Sequence, residues 1–397
     1  MGHSGKGAIA AIVGIGEVPT GKFADRSALE AAAAVARMAV VDSGIDKAEI
    51  DVVMPTGSIF SRDFNSDLIF GRLVEELGMS GTVHSNIQVM AGGASGSALL
   101  KSACAMVRSG LAKNVLCVHA DRLGTGLPID QAIDVFSTLG IPLEWERPFG
   151  QHFSSIAALI TRRYMQETGT TDEQLSSVCV ALRKWAELNP NAMFRKPLTV
   201  DEVMSSKFLS SPLHAKQSNV LADGASAFVV TRAEAAADMT DTPCYVLGVG
   251  GRVTHYSLAQ EADMTRFGYA GAAADAFDMA GVSAKDIDIA EIYDSYPVFN
   301  LIALEELGFV ERGTAGAFVA AGNTWPGGKL PMTTNGGMLS QGHTGAGGGV
   351  AVVVEAIRQV MGKAGARQVP NANLVLETSS GGSYMDAQVV VFGREVR

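Results

Sequence analysis

The chain repeats itself. Ala8-Ile9-Ala10-Ala11-Ile12-Val13-Gly14-Ile15-Gly16 is a continuous apolar run closed by glycines and reads as a buried strand. A helical stretch over Ala28–Ser43 follows, and residues 44–53 read as a turn entering a second strand. The same succession returns past the midpoint: a strand over residues 245–250, a helical stretch over Tyr269–Ala280, and a turn and strand over residues 281–291. Gly44, Ile50 and Asp51 align with Gly281, Ile287 and Asp288 at one constant offset, which identifies a duplicated strand–helix–strand unit.

The later parts of the two halves also correspond. Residues 96–111 form an amphipathic helical stretch leading to the apolar strand 114–120, and residues 349–361 lead likewise to strand 373–377. Alternating strands and helices imply an α/β architecture of mixed sheets covered by helices. The repeat is interrupted between residues 122 and 211, where helical stretches over residues 154–168 and 172–188 end at Asn189-Pro190. The run 223–230 then returns to the sheet. The expected organisation is a first half over residues 1–121 and 212–240, an inserted cap over 122–211, and a second half over 241–397.

Composition narrows the function classes. The chain is 47% hydrophobic and 18% charged, so a large core is available. A net charge of −10 argues against nucleic acid as the principal partner. Cys104, Cys117, Cys179 and Cys244 lie in apolar segments without metal or disulfide spacing and read as buried thiols. No metal site is expected. The first residues, Met1-Gly2-His3-Ser4-Gly5-Lys6, lack the apolar core of a secretory signal, and Gly393-Arg394-Glu395-Val396-Arg397 is not a peroxisomal address. No apolar run reaches the ~20 residues of a membrane span. The chain reads as cytoplasmic. Gly14-Ile15-Gly16 lacks the third glycine of a dinucleotide fingerprint.

Five segments carry a family resemblance: 212–225, Glu291-Ile292-Tyr293-Asp294-Ser295-Tyr296, Leu304-Glu305-Glu306-Leu307-Gly308-Phe309, 335–343, and the closing Ser380-Gly381-Gly382. Together with Gly92-Gly93-Ala94-Ser95-Gly96, they resemble thiolases of the sterol-carrier type and the related steroid side-chain aldolases. The likeness extends over essentially the whole chain. It implies two similar five-stranded halves stacked in layers, and at least a dimer. It also implies an acyl-CoA thioester as substrate rather than a permanently bound cofactor. An anionic ligand of that kind needs a local basic patch, which net charge does not reveal. Some members of the family work with a small zinc-ribbon/OB-fold subunit, which stands here as an expected partner.

The departures from the thiolase pattern matter most. Thiolases attack with a cysteine thiolate, a soft nucleophile activated by a neighbouring base, and move a proton with a second cysteine. The resemblance places the first cysteine at Gly93, which has no side chain. It places the second at Ser379, to within one residue. Ser95 and Ser97 read as turn-forming residues at the helix start. A conventional acyl-enzyme at position 93 is therefore excluded. His343 keeps its family position in a glycine-rich turn, where a neutral imidazole can serve as a base or hold an enolate oxygen. Tyr293 replaces the usual histidine of a Glu-x-His-Asp pattern, as in the steroid side-chain aldolases, and is a candidate acid or base. Those aldolases carry tyrosine where this chain has His343. Asp294, Tyr296 and Asn335 are supporting candidates, and Gly336, Gly337, Gly381 and Gly382 are expected to let backbone approach the CoA thioester.

Three readings follow from these residues. Retro-aldol cleavage of a β-hydroxyacyl-CoA needs a base and an enolate cradle but no nucleophile, and fits them best. A thiolase or acyltransferase with a non-standard nucleophile, or a non-catalytic acyl-CoA-binding subunit, are the alternatives.

Overall fold

The computed structural model describes residues 7–58, 69–136, 138 and 140–396. The N-terminal hexapeptide and Arg397 lie outside them. The strands are β1 (Ala10–Glu17), β2 (Val52–Pro55), β3 (Ser85–Asn86), β4 (Asn114–Arg122), β5 (Phe208–Ser210), β6 (Leu213–His214), β7 (Asp223–Thr231), β8 (Cys244–Val253), β9 (Ile289–Ile292), β10 (Leu374–Gly381) and β11 (Asp386–Gly393). β5 and β6 form a small hairpin; the others form one mixed sheet in the order β3-β2-β4-β7-β1-β8-β11-β10-β9.

That order is the duplication made visible. β3-β2-β4-β7-β1 in the first half mirrors β9-β10-β11-β8 in the second, and a parallel bridge from Met332 to Ala290 stands where the first half has β3. The expectation of two five-stranded sheets therefore needs refinement. The two halves join into a single nine-stranded sheet, because β1 and β8 pair antiparallel at Ala10–Val246, Ala11–Tyr245 and Ile12–Cys244.

The repeated residues perform repeated tasks. Gly44 and Gly281 end their helices in the left-handed conformation, at φ 73° and 67°. The Asp51 carboxylate accepts the backbone N–H of Lys113 and Asn114, and Asp288 accepts those of Asn373 and Leu374. Each aspartate thus fixes the entry of its half's next long strand. Gly14 and Gly16 press against helix Ala28–Ser43, and Gly248 and Gly250 against helix Tyr269–Ala280. A Cβ at any of the four would overlap helix backbone.

Both sheet faces are covered, as the near-continuous apolar strands require. Ala11 and Val13 of β1 enter one buried cluster with these two helices, while Ala10 and Ile12 enter a second with helices Ser95–Ser109 and Gly348–Val360. Between β4 and β7 the chain runs through helices Ile129–Phe136, Phe153–Thr168, Asp172–Glu187 and Val200–Met204 and the β5–β6 hairpin. Among the described residues no helix is long and apolar enough to cross a membrane, and no cluster of side chains is arranged to hold a metal ion.

Candidate active site

Position 93 has no side chain because another residue fills its space. Gly93 lies in the turn that opens helix Ser95–Ser109. A Cβ built on it would overlap the Tyr293 hydroxyl and the Ser380 carbonyl oxygen, and would sit 2.6 Å from Tyr293 Cζ. Tyr293 follows β9 directly, with its backbone N–H donated to Thr378 Oγ1 on the neighbouring β10 (3.3 Å). The strand end thus aims the phenol across the seam between the halves. Ser95 stabilises the turn from within: its Oγ accepts the Ala91 N–H (3.0 Å) and donates to the Gly92 carbonyl (2.7 Å).

The Tyr293 hydroxyl lies 3.2 Å from His343 Nε2, and both residues are buried. His343 is held by its backbone. Its N–H donates to Val220 O (2.6 Å), and its carbonyl accepts from Ala222 N–H (3.0 Å). Gly342, at φ 131°, makes the preceding bend. Burial lowers the His343 pKa to about 4, so the ring is neutral at physiological pH. Burial also raises the Tyr293 phenol above its ordinary value, helped by the nearby Asp294 and Tyr296, so the hydroxyl keeps its proton. A protonated phenol against a neutral imidazole can donate a hydrogen bond to its Nε2.

Tyr293, His343 and Gly93 line a cavity of about 500 Å³ together with Met90, Gly381, Gly382, Ser380 and Tyr296. One wall is aromatic. Tyr384, at φ 64°, stacks on Phe299 with centroids 3.6 Å apart and bonds through its hydroxyl to Ser295 Oγ (2.8 Å). The chain between β4 and β7 supplies another wall with Ile129, Ile133, Phe153, Ser154 and Leu209, and Ser154 Oγ meets the Tyr296 hydroxyl at 2.8 Å. Asp386 is the only acidic group on the lining among the described residues, and no lysine or arginine lies there.

Other residues expected at the site stand away from the cavity. Asp294 accepts the N–H of Met338 (2.8 Å) and Leu339 (3.1 Å), capping the short helix Gly337–Ser340 that precedes His343. Burial pushes its pKa up to about 8. Asn335 Oδ1 accepts the Gly337 N–H within the same turn (2.8 Å). Gly336 and Gly337 belong to this support too, not to the cavity lining. A Cβ at Gly336 would strike Ala186, and one at Gly337 would strike the Asp294 carboxylate. Ser379 points into the protein, 2.5 Å from Ser97 Oγ, and Ser97 donates to Glu377 Oε2 (2.9 Å). Its neighbour Ser380 is the one that lines the cavity. The one-residue margin on the Ser379 assignment includes Ser380, whereas Tyr384 is not singled out, because nothing in the sequence marks which face of a buried strand or turn meets a cavity.

Comparison with known proteins identifies the family. Residues 250–394 match the family model described as thiolase C-terminal domain-like. The chain is 32% identical to an acetyl-CoA acetyltransferase of Methanothermobacter thermautotrophicus over 97% of its length and 99% of that protein. It is 30% identical to a steroid side-chain-cleaving aldolase of Thermomonospora curvata, covering 88% of this chain and 90% of that one. A 17-hydroxy-3-oxo-4-pregnene-20-carboxyl-CoA lyase of Mycobacterium tuberculosis is also 30% identical, over 89% and 92%. The solved Ltp2-ChsH2(DUF35) aldolase is 28% identical and covers 98% of this chain and 99% of that one, with a TM-score of 0.85. With this fold, this site and relatives matched end to end, the chain belongs to the thiolase superfamily.

Proposed function

We propose that the protein is a thiolase-superfamily lyase that cleaves a β-hydroxyacyl-CoA by a retro-aldol reaction. The observation that carries this is the Tyr293 hydroxyl, which fills the space of a side chain at position 93 and lies 3.2 Å from His343 Nε2. In this reading a proton-relaying phenol stands where a nucleophile would.

In this reading Tyr293 takes the proton of the substrate β-hydroxyl while passing its own to neutral His343. The Cα–Cβ bond breaks and its electron pair enters the thioester as an enolate. The β-carbon leaves as a ketone or aldehyde. The proton held by the Tyr293–His343 pair returns to the α-carbon, so a shortened acyl-CoA is released with no net gain or loss of protons. The backbone at Gly93 and Gly381-Gly382, which lines the cavity, is the proposed cradle for the enolate oxygen. The names of the aldolase and lyase relatives support cleavage, and the absence of a side chain at Gly93 weighs against the acyl transfer named for the Methanothermobacter relative.

Coenzyme A thioester is the proposed substrate form. A dimer of this chain with a small zinc-ribbon/OB-fold subunit is the proposed assembly, supported by the two components named in the Ltp2-ChsH2(DUF35) structure. A cytoplasmic location is supported by four free, buried cysteines.

The test uses 17-hydroxy-3-oxo-4-pregnene-20-carboxyl-CoA and 3-hydroxybutyryl-CoA as probes, with the chain alone and with such a partner. Release of a carbonyl product and a shorter acyl-CoA supports the reading. Tyr293→Phe should lose about 10²–10⁴-fold in kcat with probe binding retained. Full activity in that variant, or an acyl group covalently added to the intact chain, overturns it.

A further inference from the structure

Behind the Tyr293–His343 pair lies a second buried histidine that the mechanism above leaves unused. His119 is on β4, among apolar neighbours, with 1% of its surface exposed. Its Nδ1 lies 2.5 Å from Thr56 Oγ1, and its Nε2 lies 3.0 Å from the carbonyl oxygen of Thr344. A carbonyl can only accept, so Nε2 carries the proton and Nδ1 accepts from the threonine hydroxyl. Both ring nitrogens are spent, one on each side. Gly347 makes room for the ring, since a Cβ there would overlap the imidazole.

We infer that His119, oriented by Thr56, is a positioning residue that sets the place of the His343 imidazole relative to Tyr293. The argument is one of connectivity. Thr344 is the residue after His343 and the start of the turn Gly345–Gly347 that leads into helix Gly348–Val360. On its other side, His343 is tied to Val220 and Ala222. The Thr344 carbonyl is therefore the second anchor of a segment whose side chain must sit within proton-transfer reach of a phenol. Thr56 is itself fixed, with its N–H donated to Val118 O (2.9 Å) and its side chain fully buried. A chain of rigid contacts thus runs from the end of β2 through β4 to the His343 segment. Burial lowers the His119 pKa to about 4, so the ring is neutral and its tether does not switch in the physiological range.

This inference rests on the retro-aldol reading only for its kinetic consequence. The kinetic arm uses 17-hydroxy-3-oxo-4-pregnene-20-carboxyl-CoA as probe. Because a 1 Å displacement can cost about 100-fold, Thr56→Val and His119→Met should lower kcat by roughly 10- to 100-fold with KM little changed. His119→Gln keeps an amide donor for Thr344 O and should restore most of kcat. Wild-type kcat in Thr56→Val and His119→Met overturns the inference, as does failure of His119→Gln to exceed His119→Met. If His119→Met does not fold, Thr56→Val decides alone. The second arm needs no turnover. In protein labelled with ¹⁵N-histidine, His119 should show the Nε2–H tautomer, and Thr56→Val should move the ring signals of His343 while leaving the remote His214 unchanged. Unmoved His343 signals overturn the tether. Absence of cleavage in the wild type, with those signals moved, overturns the reaction assignment and leaves the tether standing.

Discussion

Tyr293 and Gly93 share one volume. The phenol of Tyr293 lies where a Cβ on Gly93 would be, so the two positions are coupled sterically. Restoring a side chain at 93 therefore creates an overpacked site.

Gly93→Ala should lower stability by about 1–3 kcal/mol, the usual cost of overpacking, and abolish cleavage by displacing the phenol. Combining it with Tyr293→Ala should recover part of the stability lost by Gly93→Ala. Denaturant melts of the four proteins in the cycle measure this, and simple additivity of the two changes would contradict shared space.

The two buried histidines predict acid sensitivity. His119 and His343 have folded pKa values lowered to about 4, chiefly by burial. In the unfolded chain they take up protons below about 6.5. Between these values the unfolded state binds more protons, so stability is highest above 6.5 and falls as pH drops toward 4. At pH 4.5 each should cost on the order of 2–3 kcal/mol. Urea midpoints across this window should fall, and fall less in His343→Asn. Cleavage should likewise persist to pH 5, below the ordinary titration of histidine.

Asp294 acts through the turn it caps. Asp294→Ala leaves the N–H groups of Met338 and Leu339 buried without their acceptor, which should cost about 1–3 kcal/mol and lower kcat by loosening the approach to His343. Asp294→Asn keeps one acceptor oxygen but turns an NH2 donor toward the other backbone N–H, so it should restore only part of the stability and kcat lost in Asp294→Ala. A kcat in Asp294→Asn no higher than in Asp294→Ala would show that a single acceptor does not hold the turn.

Glu377 gives the opposite pH sign. Burial raises its pKa to about 8, against hydrogen bonds from Ser97 and Ser379 that lower it. An acid that holds its proton in the folded state stabilises fully below its unfolded value of about 4.5. That stability is lost as pH rises through 8. Glu377→Gln removes this titration and should raise the melting temperature more at pH 8.5 than at pH 5. Equal gains at both values would show that the carboxyl is not neutral when buried.

The duplication, the α/β class and the departures at Gly93 and Tyr293 were legible because each rests on residue types that admit few uses. Gly44 and Gly281 could be paired, for instance, because only a helix end at positive φ favours glycine so strongly. What escaped was side-chain direction. Gly336 and Gly337 looked like ligand-approach glycines, yet they admit Ala186 and the Asp294 carboxylate. Ser379 and Ser380 are neighbours on one strand, so one residue decides which faces the cavity. His119 sits in an apolar strand and reads there as an ordinary core histidine; only the fold brings Thr344 to its Nε2.

The pairing of β1 with β8 has a further meaning for the site. Gly93 belongs to the first half, while Tyr293, His343 and Ser380 belong to the second. Neither half supplies this cavity lining by itself. The three residue pairs at Ala10–Val246, Ala11–Tyr245 and Ile12–Cys244 join the two halves in one register. A slip of two residues, the smallest that preserves both faces, would carry the phenol about 7 Å along the strand direction. The place of one phenol is thus tied to the register of a seam built from alanine, isoleucine, valine, tyrosine and cysteine, none of which lines the cavity.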